Sequence, residues 1–562
     1  MFKNNRKHLQ TAFVSSVDSL PPKEQTLLAA SWSHTFYEQV FVRIDEAPFA
    51  VLYSEEASRP NVPVNILLGL EWLSSHFGWS DEEAMEHFYF DLQVRYALGL
   101  RELGAEHFDI RTLYNFRRRL LDYFDETRCD LVTEAFEAIT DQQADAFAIK
   151  THRLRMDSTD VSSNIHNYSR LQLLVEVVGR VQRMLSETDQ VRYREAFSPF
   201  IKGSSDQYVY RVRRDQGAEH IGRIGKLMQE LLEALQASYG EQPEYAMLQR
   251  VFNEQYVAEP EGVRPKGKDE LQSSSLLAPD DPEATFRRKR SKQYKGYVTN
   301  VTETCDDENP IQLVVGVQTE PNNVDDPTLM LEALPELKER TDCQELNTDG
   351  GYNNEATATL ARALGIEHVQ TGIRGHSSKG MGLEAFTFEM DGHEPVTITC
   401  PEGQQVVVTR PKRNYQACFS ETICAGCPLH DRCRAKPRKR GALRSLHFSD
   451  HDLEIARRRQ RIKTDRASGV NPRAAVESTI ACLKRPWGPK LPVRGRFKVH
   501  MKMVGSAAMI NLRRIHRWVT GPSGRQGRAE GSLQEGQGIL LSLRRLGASL
   551  RLSALFSPCM AR

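Results

Sequence analysis

From Val62 to Phe124 apolar residues recur three and four apart, with Ile66, Leu67, Leu70 and Leu73 on one stripe, the spacing that places side chains on a single helix face. The stretch predicts a helical domain over 62–145, preceded by an N-terminal segment over 1–61. Ser80 and Glu83 stand at capping-box spacing for a second helix, and Asp109 can cap a third that runs through Tyr114 and Phe116 into Arg117, Arg118 and Arg119. Three successive arginines on a short helix suit contact with phosphates, and a solvated surface face explains them equally well.

At Arg153 the period changes to two. Leu154 and Met156 alternate with polar neighbours, and the run ends in Asp157, Ser158 and Thr159, so a short strand should carry Asp157 to a sheet edge. Leu171 to about Leu248 is helical again, and the Pro-, Ser- and charge-rich stretch from Glu259 to Glu283 follows it; together they predict a helical insertion with a flexible exit over 165–292. Tyr294–Thr302 and Ile311–Val317 read as an antiparallel pair about the turn Asp306–Pro310. A helix with Leu329, Leu331, Leu334 and Leu337 comes next, then a strand at Leu346–Asp349, a helix at Asn353–Leu364 and a strand at Ile366–Gln370. This order describes an α/β fold, a mixed sheet flanked by helices in the sequence of a ribonuclease-H-like core, assembled from 146–164, 293–373 and 465–520. Residues 374–464 form a second, cysteine-rich and basic insertion, and the Gly-, Ser- and Arg-rich 521–562 are expected to be a disordered tail.

Composition changes this picture in three places. A chain of 562 residues exceeds one hydrophobic core, so three or four structural units are expected. A formal charge of +1 excludes a uniformly basic binder, yet Arg473 to Arg517 holds eleven Lys or Arg against one acid, Glu477. Five of the ten cysteines lie between Cys400 and Cys433, and such crowding points to metal binding in a reducing compartment. Met1 to Phe13 has no apolar core of the signal-peptide kind and no later run is long enough to span a bilayer, which predicts a cytoplasmic protein without a membrane partner.

The most specific local signal is Asn471 to Lys484. Asn471 can cap a helix, Pro472 suits its first position and Pro486 closes it. At 100° per residue, Arg473, Glu477 and Lys484 fall within about 40° of one another, which puts two cations and one carboxylate on one face. Arg473, three residues, Glu477, six residues and Lys484 resemble the Tyr-Arg-Glu-Lys signature of bacterial insertion-sequence DDE transposases; Val470 stands where the family has its tyrosine. Asp157-Ser158-Thr159 and Asn347-Thr348-Asp349-Gly350-Gly351-Tyr352 resemble the family's first and second aspartate motifs, and the helix through Leu113–Leu120 resembles its N-terminal DNA-binding domain. The likeness runs from about Val62 to Trp518.

The resemblance implies a DNA transposase with Asp157, Asp349 and Glu477 as catalytic residues holding two Mg²⁺ or Mn²⁺ ions, Asp157 bridging them. It implies DNA contacts by Arg473 and Lys484 and by Arg117, Arg118 and Arg119. The expected partners are double-stranded DNA, both the inverted repeats of the element and the target, and further copies of the chain in a dimer or higher multimer at the bacterial nucleoid. The chemistry agrees: phosphodiester transfer needs an activated oxygen nucleophile and a stabilised leaving oxygen, and hard carboxylate ligands favour Mg²⁺. Cys424 and Cys427 form a C-x-x-C pair with Cys433 after it, and with Cys400 or Cys418 as the fourth thiolate they suit a structural Zn²⁺; irregular spacing leaves free thiols as the alternative. The basic stretches Arg434–Arg440, Arg457–Lys463 and Arg494–Lys502 are expected to track the DNA backbone. Two other functions fit the same residues: a DNA-binding regulator that has lost activity, and a metal-dependent nuclease that cuts without joining.

Overall fold

The computed structural model describes residues 1–521 apart from 11–14, 57–59, 202, 214, 261, 290, 372–379, 393, 439–440 and 469–473. The chain forms two compact units, one from Met1–Lys150, Ser158–Asp325 and the stretch that begins at Ser478, the other from Thr151–Asp157 and Asp326–Glu477. It is a mixed α/β protein in which parallel and antiparallel strand pairs both occur, in line with the expected class. Among the described residues no helix is long and apolar enough to cross a membrane.

In the first unit the helices Val64–Phe77, Asp81–Phe90, Leu92–Ala97, Ile110–Thr127 and Leu131–Ala146 follow the apolar stripes of the sequence. The capping box forms: Ser80 Oγ accepts from the Glu83 amide, and Glu83 accepts from the Ser80 amide. Asp109 caps the Ile110–Thr127 helix through the Arg111 amide at 2.9 Å. The helix Arg496–Thr520 is buried along most of its length and packs on Val64–Phe77. At the crossing a Cβ on Gly505 would stand 2.8 Å from Ser75 Oγ and 3.0 Å from Trp72 Cδ1, so glycine is what lets the two backbones approach.

Strand β1 (Arg153–Val161) runs through the boundary, and its half from Ser158 belongs to this first unit. The insertion after it is helical as expected. Arg170–Met184, Gly217–Tyr239 and Pro243–Gln255 enclose a core of their own around Leu174, Val178, Met228 and Leu248. The stretch expected as a flexible exit contains instead a hairpin of β2 (Tyr256–Glu259) and β3 (Gly262–Pro265), then buried Leu276, Ala278 and Asp281. The Asp281 carboxylate accepts from Ser163 Oγ at 2.7 Å and from the Tyr297 hydroxyl, and such buried partners hold a segment whose polar composition reads as loop. Strands β4 (Thr285–Lys289), β5 (Lys292–Thr304) and β6 (Val314–Pro321) follow, with β5 antiparallel to both of the others. Gly296 of β5, at φ +128°, brings its Cα against the Val161 carbonyl, where a Cβ would stand at 2.5 Å.

In the second unit β7 (Glu345–Thr348) lies parallel to β1, and β8 (Glu367–Gln370) parallel to β7. The helices Asp326–Arg340 and Glu355–Ala363 follow the leucine pattern and the expected helix before β8. The cysteine-rich insertion is a six-stranded antiparallel sheet of β9 (Thr387–Asp391), β10 (Glu394–Thr399), β11 (Gln405–Thr409), β12 (Tyr415–Ser420), β13 (Lys436–Pro437) and β14 (Leu443–Phe448), in the order β13-β14-β12-β11-β10-β9. Phe386, Ile398, Tyr415, Phe419, Leu446 and Phe448 form its core with Leu453 of the Asp450–Ser468 helix. The expected tail lies outside the described residues, apart from Gly521.

Candidate active site

Asp157, Asp349 and Glu477 all belong to the second unit, Asp157 and Glu477 at the two points where the chain leaves it. The β1–β7 register pairs Arg153 with Glu345, Leu154 with Leu346 and Arg155 with Asn347. Carried two residues further, past the end of β7, the same register would set Asp157 level with Asp349 on neighbouring parallel strands about 4.8 Å apart. Asp157 is the middle residue of β1 and not its last, which corrects the expected strand end, because the strand continues to Val161. Arg153 Nε donates to Glu345 Oε1 at 3.2 Å, so odd-numbered side chains of both strands share a face, and two-residue periodicity puts Asp157 there. Asp157 is 8% exposed. Asp349 Oδ1 accepts the Gly351 amide at 2.6 Å, an Asx turn that fixes its carboxylate at the strand end. Glu477 lies exposed in the first turn of the helix Ala474–Lys484.

That helix begins one residue after Arg473, so Arg473 and Asn471, the expected cap, lie outside the described residues. Lys484, one heptad after Glu477 on the same helix face, is held in the first unit: its Nζ donates to Thr159 Oγ1 at 2.8 Å and to the Asp160 carbonyl at 3.4 Å. Burial lowers its pKa, the Asp160 carboxylate opposes that, and Lys289 adds to it. The helix is fixed a second time where Thr479 Oγ1 donates to the buried Glu303 of β5 at 2.8 Å, with Arg514 donating to Thr479 and pairing with Glu303.

Three features around the acids were not legible in the sequence. His368 of β8 has its pKa lowered to about 4 by burial, with Arg458 adding to the effect, so it is neutral near pH 7. The Thr348 hydroxyl donates to the Asp349 carbonyl at 3.0 Å, so the His368 Nε2 contact at 2.8 Å is an Nε2–H donating to Thr348 Oγ1. Beside Asp349, Arg458 Nη1 donates to Asn353 Oδ1 at 3.1 Å. In the first unit, Asp160 Oδ2 pairs with Lys289 at 3.0 Å, while its buried Oδ1 has no partner among the described residues. These rest on long-range pairings, which no local spacing announces.

The three consecutive arginines divide. Arg117 is locked in the first unit: it donates to Glu71 Oε1 at 2.5 Å and to both oxygens of Asp81, and Lys502 reaches Glu71 at 3.4 Å. Glu71 and Lys502 are almost fully buried. Burial works against the ionised form of Glu71, but Arg117 and Lys502 outweigh it and its pKa is lowered. Arg118 and Arg119 are exposed, Arg119 standing over the Tyr53 ring at 4.9 Å. The basic stretches divide in the same way. Arg434 pairs with Asp452, Arg459 with Glu384, Arg461 with Glu345 and Glu367, and Arg496 with Glu320.

Of the five clustered cysteines, Cys424 has its thiol pKa raised by burial; Arg444 opposes this, and Cys433, Cys400 and Cys427, in that order, add to it. The Gln404 amide donates to Cys400 Sγ at 3.3 Å and the Leu429 amide to Cys427 Sγ at 3.4 Å. Cys418 is on β12 between the core residues Ala417 and Phe419, so its side chain takes the opposite face, where Arg438 approaches it at 3.9 Å. Among the described residues no three His, Cys, Asp or Glu side chains stand gathered closely enough to hold an ion.

Two family models match the chain. The Transposase DDE domain matches residues 399–516, which include Glu477, Lys484 and all five clustered cysteines, and the Transposase domain (DUF772) matches 25–119, which ends inside the arginine-bearing helix. No curated protein and no solved structure matches it. One transposase domain match covers the N-terminal helices and the other the glutamate-bearing helix, and together they support an insertion-sequence DDE transposase.

Proposed function

We propose that this transposase cuts the ends of its element and joins them to target DNA by two-metal phosphoryl transfer, with Asp157, Asp349 and Glu477 as the catalytic residues. The observation that carries the reading is the β1–β7 register, which pairs Arg155 with Asn347, the residues two positions before Asp157 and Asp349 on the two parallel strands. The strand relations in each unit support a ribonuclease-H-like core, with β5 and β6 antiparallel in the first and β1, β7 and β8 parallel in the second.

Three carboxylates from the middle of β1, the residue after β7 and a helix are the donor set that hard divalent cations take, so Asp157, Asp349 and Glu477 would hold Mg²⁺ or Mn²⁺. Two such ions supply Lewis-acid stabilisation of the attacking and leaving oxygens of a phosphodiester. The Asx turn at Asp349 holds the second carboxylate, and the His368–Thr348 relay holds the backbone carbonyl of the same residue. Lys484, with two N–H groups bonded to Thr159 and the Asp160 carbonyl, has a third left for a phosphate oxygen. In the first step a water oxygen bonds to phosphorus and the 3′-oxygen leaves with a proton; in the second that 3′-hydroxyl attacks target DNA and the target's own 3′-oxygen leaves. Cys400, Cys424, Cys427 and Cys433 would hold a structural Zn²⁺, the amide donors at Cys400 and Cys427 being suited to thiolate sulfur. Cys400 is preferred to Cys418, whose side chain takes the face of β12 opposite the core formed with Ala417 and Phe419. Multimers on DNA complete the reading.

The test is cleavage and joining of labelled element-end duplex with Mg²⁺. The natural chain should nick and then join, and Asp349→Asn should do neither; cleavage by that variant at the natural rate removes this active site. Cleavage without joining would select the nuclease reading.

A further inference from the structure

We infer that the Ile110–Thr127 helix reads base edges in the major groove of duplex DNA through Arg111, Asn115 and Arg118, with Tyr114 at the margin, and that Arg117 takes no part. The inference rests on the transposase reading above and names the surface that would recognise sequence.

Around this helix Leu113, Phe116 and Leu120 face the core, and Arg117, beside them, is held by Glu71 and Asp81. At 100° per residue, Arg111, Asn115 and Arg118 form one stripe opposite that core face, about 10 Å long, or about three base-pair steps. All three are exposed, and Tyr114 is 44% exposed. Among the described residues the side chains of Arg111, Asn115 and Arg118 have no hydrogen-bond or ion-pair partner. Unpaired arginine and asparagine at this spacing on a rigid helix are the residue types that make bidentate contacts to guanine and adenine, and a helix fits the width of the major groove.

Charge fixes which end enters. The helix carries Arg111 and Arg118 in its first half with Arg119 just past the middle, and exposed Asp122, Asp125 and Glu126 in its last two turns, so phosphates attract the first part and are repelled by the last. Recognition helices present their N-terminal residues to base edges in the same sense. Of the acids near this end, Asp109 caps the helix through the Arg111 amide, and Asp81, which acts on Tyr114, is paired with Arg117. The locked arginine therefore removes a repulsive charge and the free ones face outward.

The experiment is selection by the full chain from a randomised duplex library, repeated with Arg111→Ala, Asn115→Ala, Asn115→Asp, Arg118→Ala and, as a phosphate-contact control, Lys463→Gln. These side chains are exposed, so the variants should keep the natural circular dichroism. The natural chain should enrich a short motif, and each stripe variant should lose preference at one or two of its positions by about tenfold or more. Lys463→Gln should weaken binding with the motif intact. The same motif recovered by every variant overturns the inference, and so does a natural chain that enriches no motif. In either case Asp349-dependent cleavage would leave the transposase reading standing.

Discussion

At the residue scale, identical side chains have opposite fates according to what lies behind them. Arg117 is held between two carboxylates, one of them almost wholly buried, whereas Arg118, one residue on, has no partner among the described residues. Removing one member of a buried pair leaves an uncompensated charge, so Arg117→Ala should cost about 3–5 kcal/mol. Arg118→Ala, on the surface, should stay within about 0.5 kcal/mol of the natural chain. Urea unfolding of both variants at neutral pH measures the difference. Histidine gives a second residue-scale expectation. The pKa values of His368 and His76 are each lowered to about 4 by burial, so the folded chain resists protonation that the unfolded chain accepts near 6.5. The stability they contribute is present above that value and lost as pH falls through about 4, up to about 3 kcal/mol for each. Urea midpoints measured across that window should fall on acidification, and in His368→Gln, whose amide can still donate to Thr348, they should fall less steeply.

At the element scale, local periodicity carried a good deal. The Ser80–Glu83 box, the Asp109 cap, β1, the β5–β6 pair and the strand-helix-strand run from β7 to β8 were all readable because caps, alternation and leucine spacing are local. What failed to show locally was set by distant partners. The stretch around Asp281 is polar in composition yet buried, since Ser163 and Tyr297 satisfy its carboxylate. The six-stranded sheet of the insertion was visible only as short strands, because its alternating exposed and half-buried positions give a weak apolar signal. Of the candidate site, the acids, Lys484 and the thiols were legible as motifs, and the His368–Thr348 relay was not. The insertion also yields a prediction about metal removal. If thiolates of Cys400, Cys424, Cys427 and Cys433 hold Zn²⁺, a chromogenic chelator should release one ion per chain under denaturing conditions. Cys427→Ser should lower that yield and Cys418→Ser should leave it unchanged. Release that is the same for both variants would place the ion elsewhere.

At the scale of the whole molecule, 75 basic and 74 acidic residues nearly cancel, so attraction for DNA cannot come from net charge and must come from cations left unpaired. In the Asp450–Ser468 helix Arg458, Arg459 and Arg461 are tied to Asn353, Glu384, Glu345 and Glu367. Arg457 and Lys463 on the same helix are exposed and have no partner among the described residues. A cation already paired within the protein gains little from a phosphate, because the new contact must break the old one, while a free cation displaces a condensed counterion outright. Two neighbours on one helix should therefore respond differently to neutralisation. Lys463→Gln should weaken binding of a fixed duplex and reduce the slope of log affinity against log salt by about 0.9. Arg461→Gln should leave the slope unchanged, although it takes a cation from Glu367 and leaves Glu345 to Arg153 alone, and so adds some repulsion at low salt. Equal slope changes in the two variants would mean that the intramolecular pairs open on DNA, and the division of cations into structural and DNA-facing sets would then have to be abandoned.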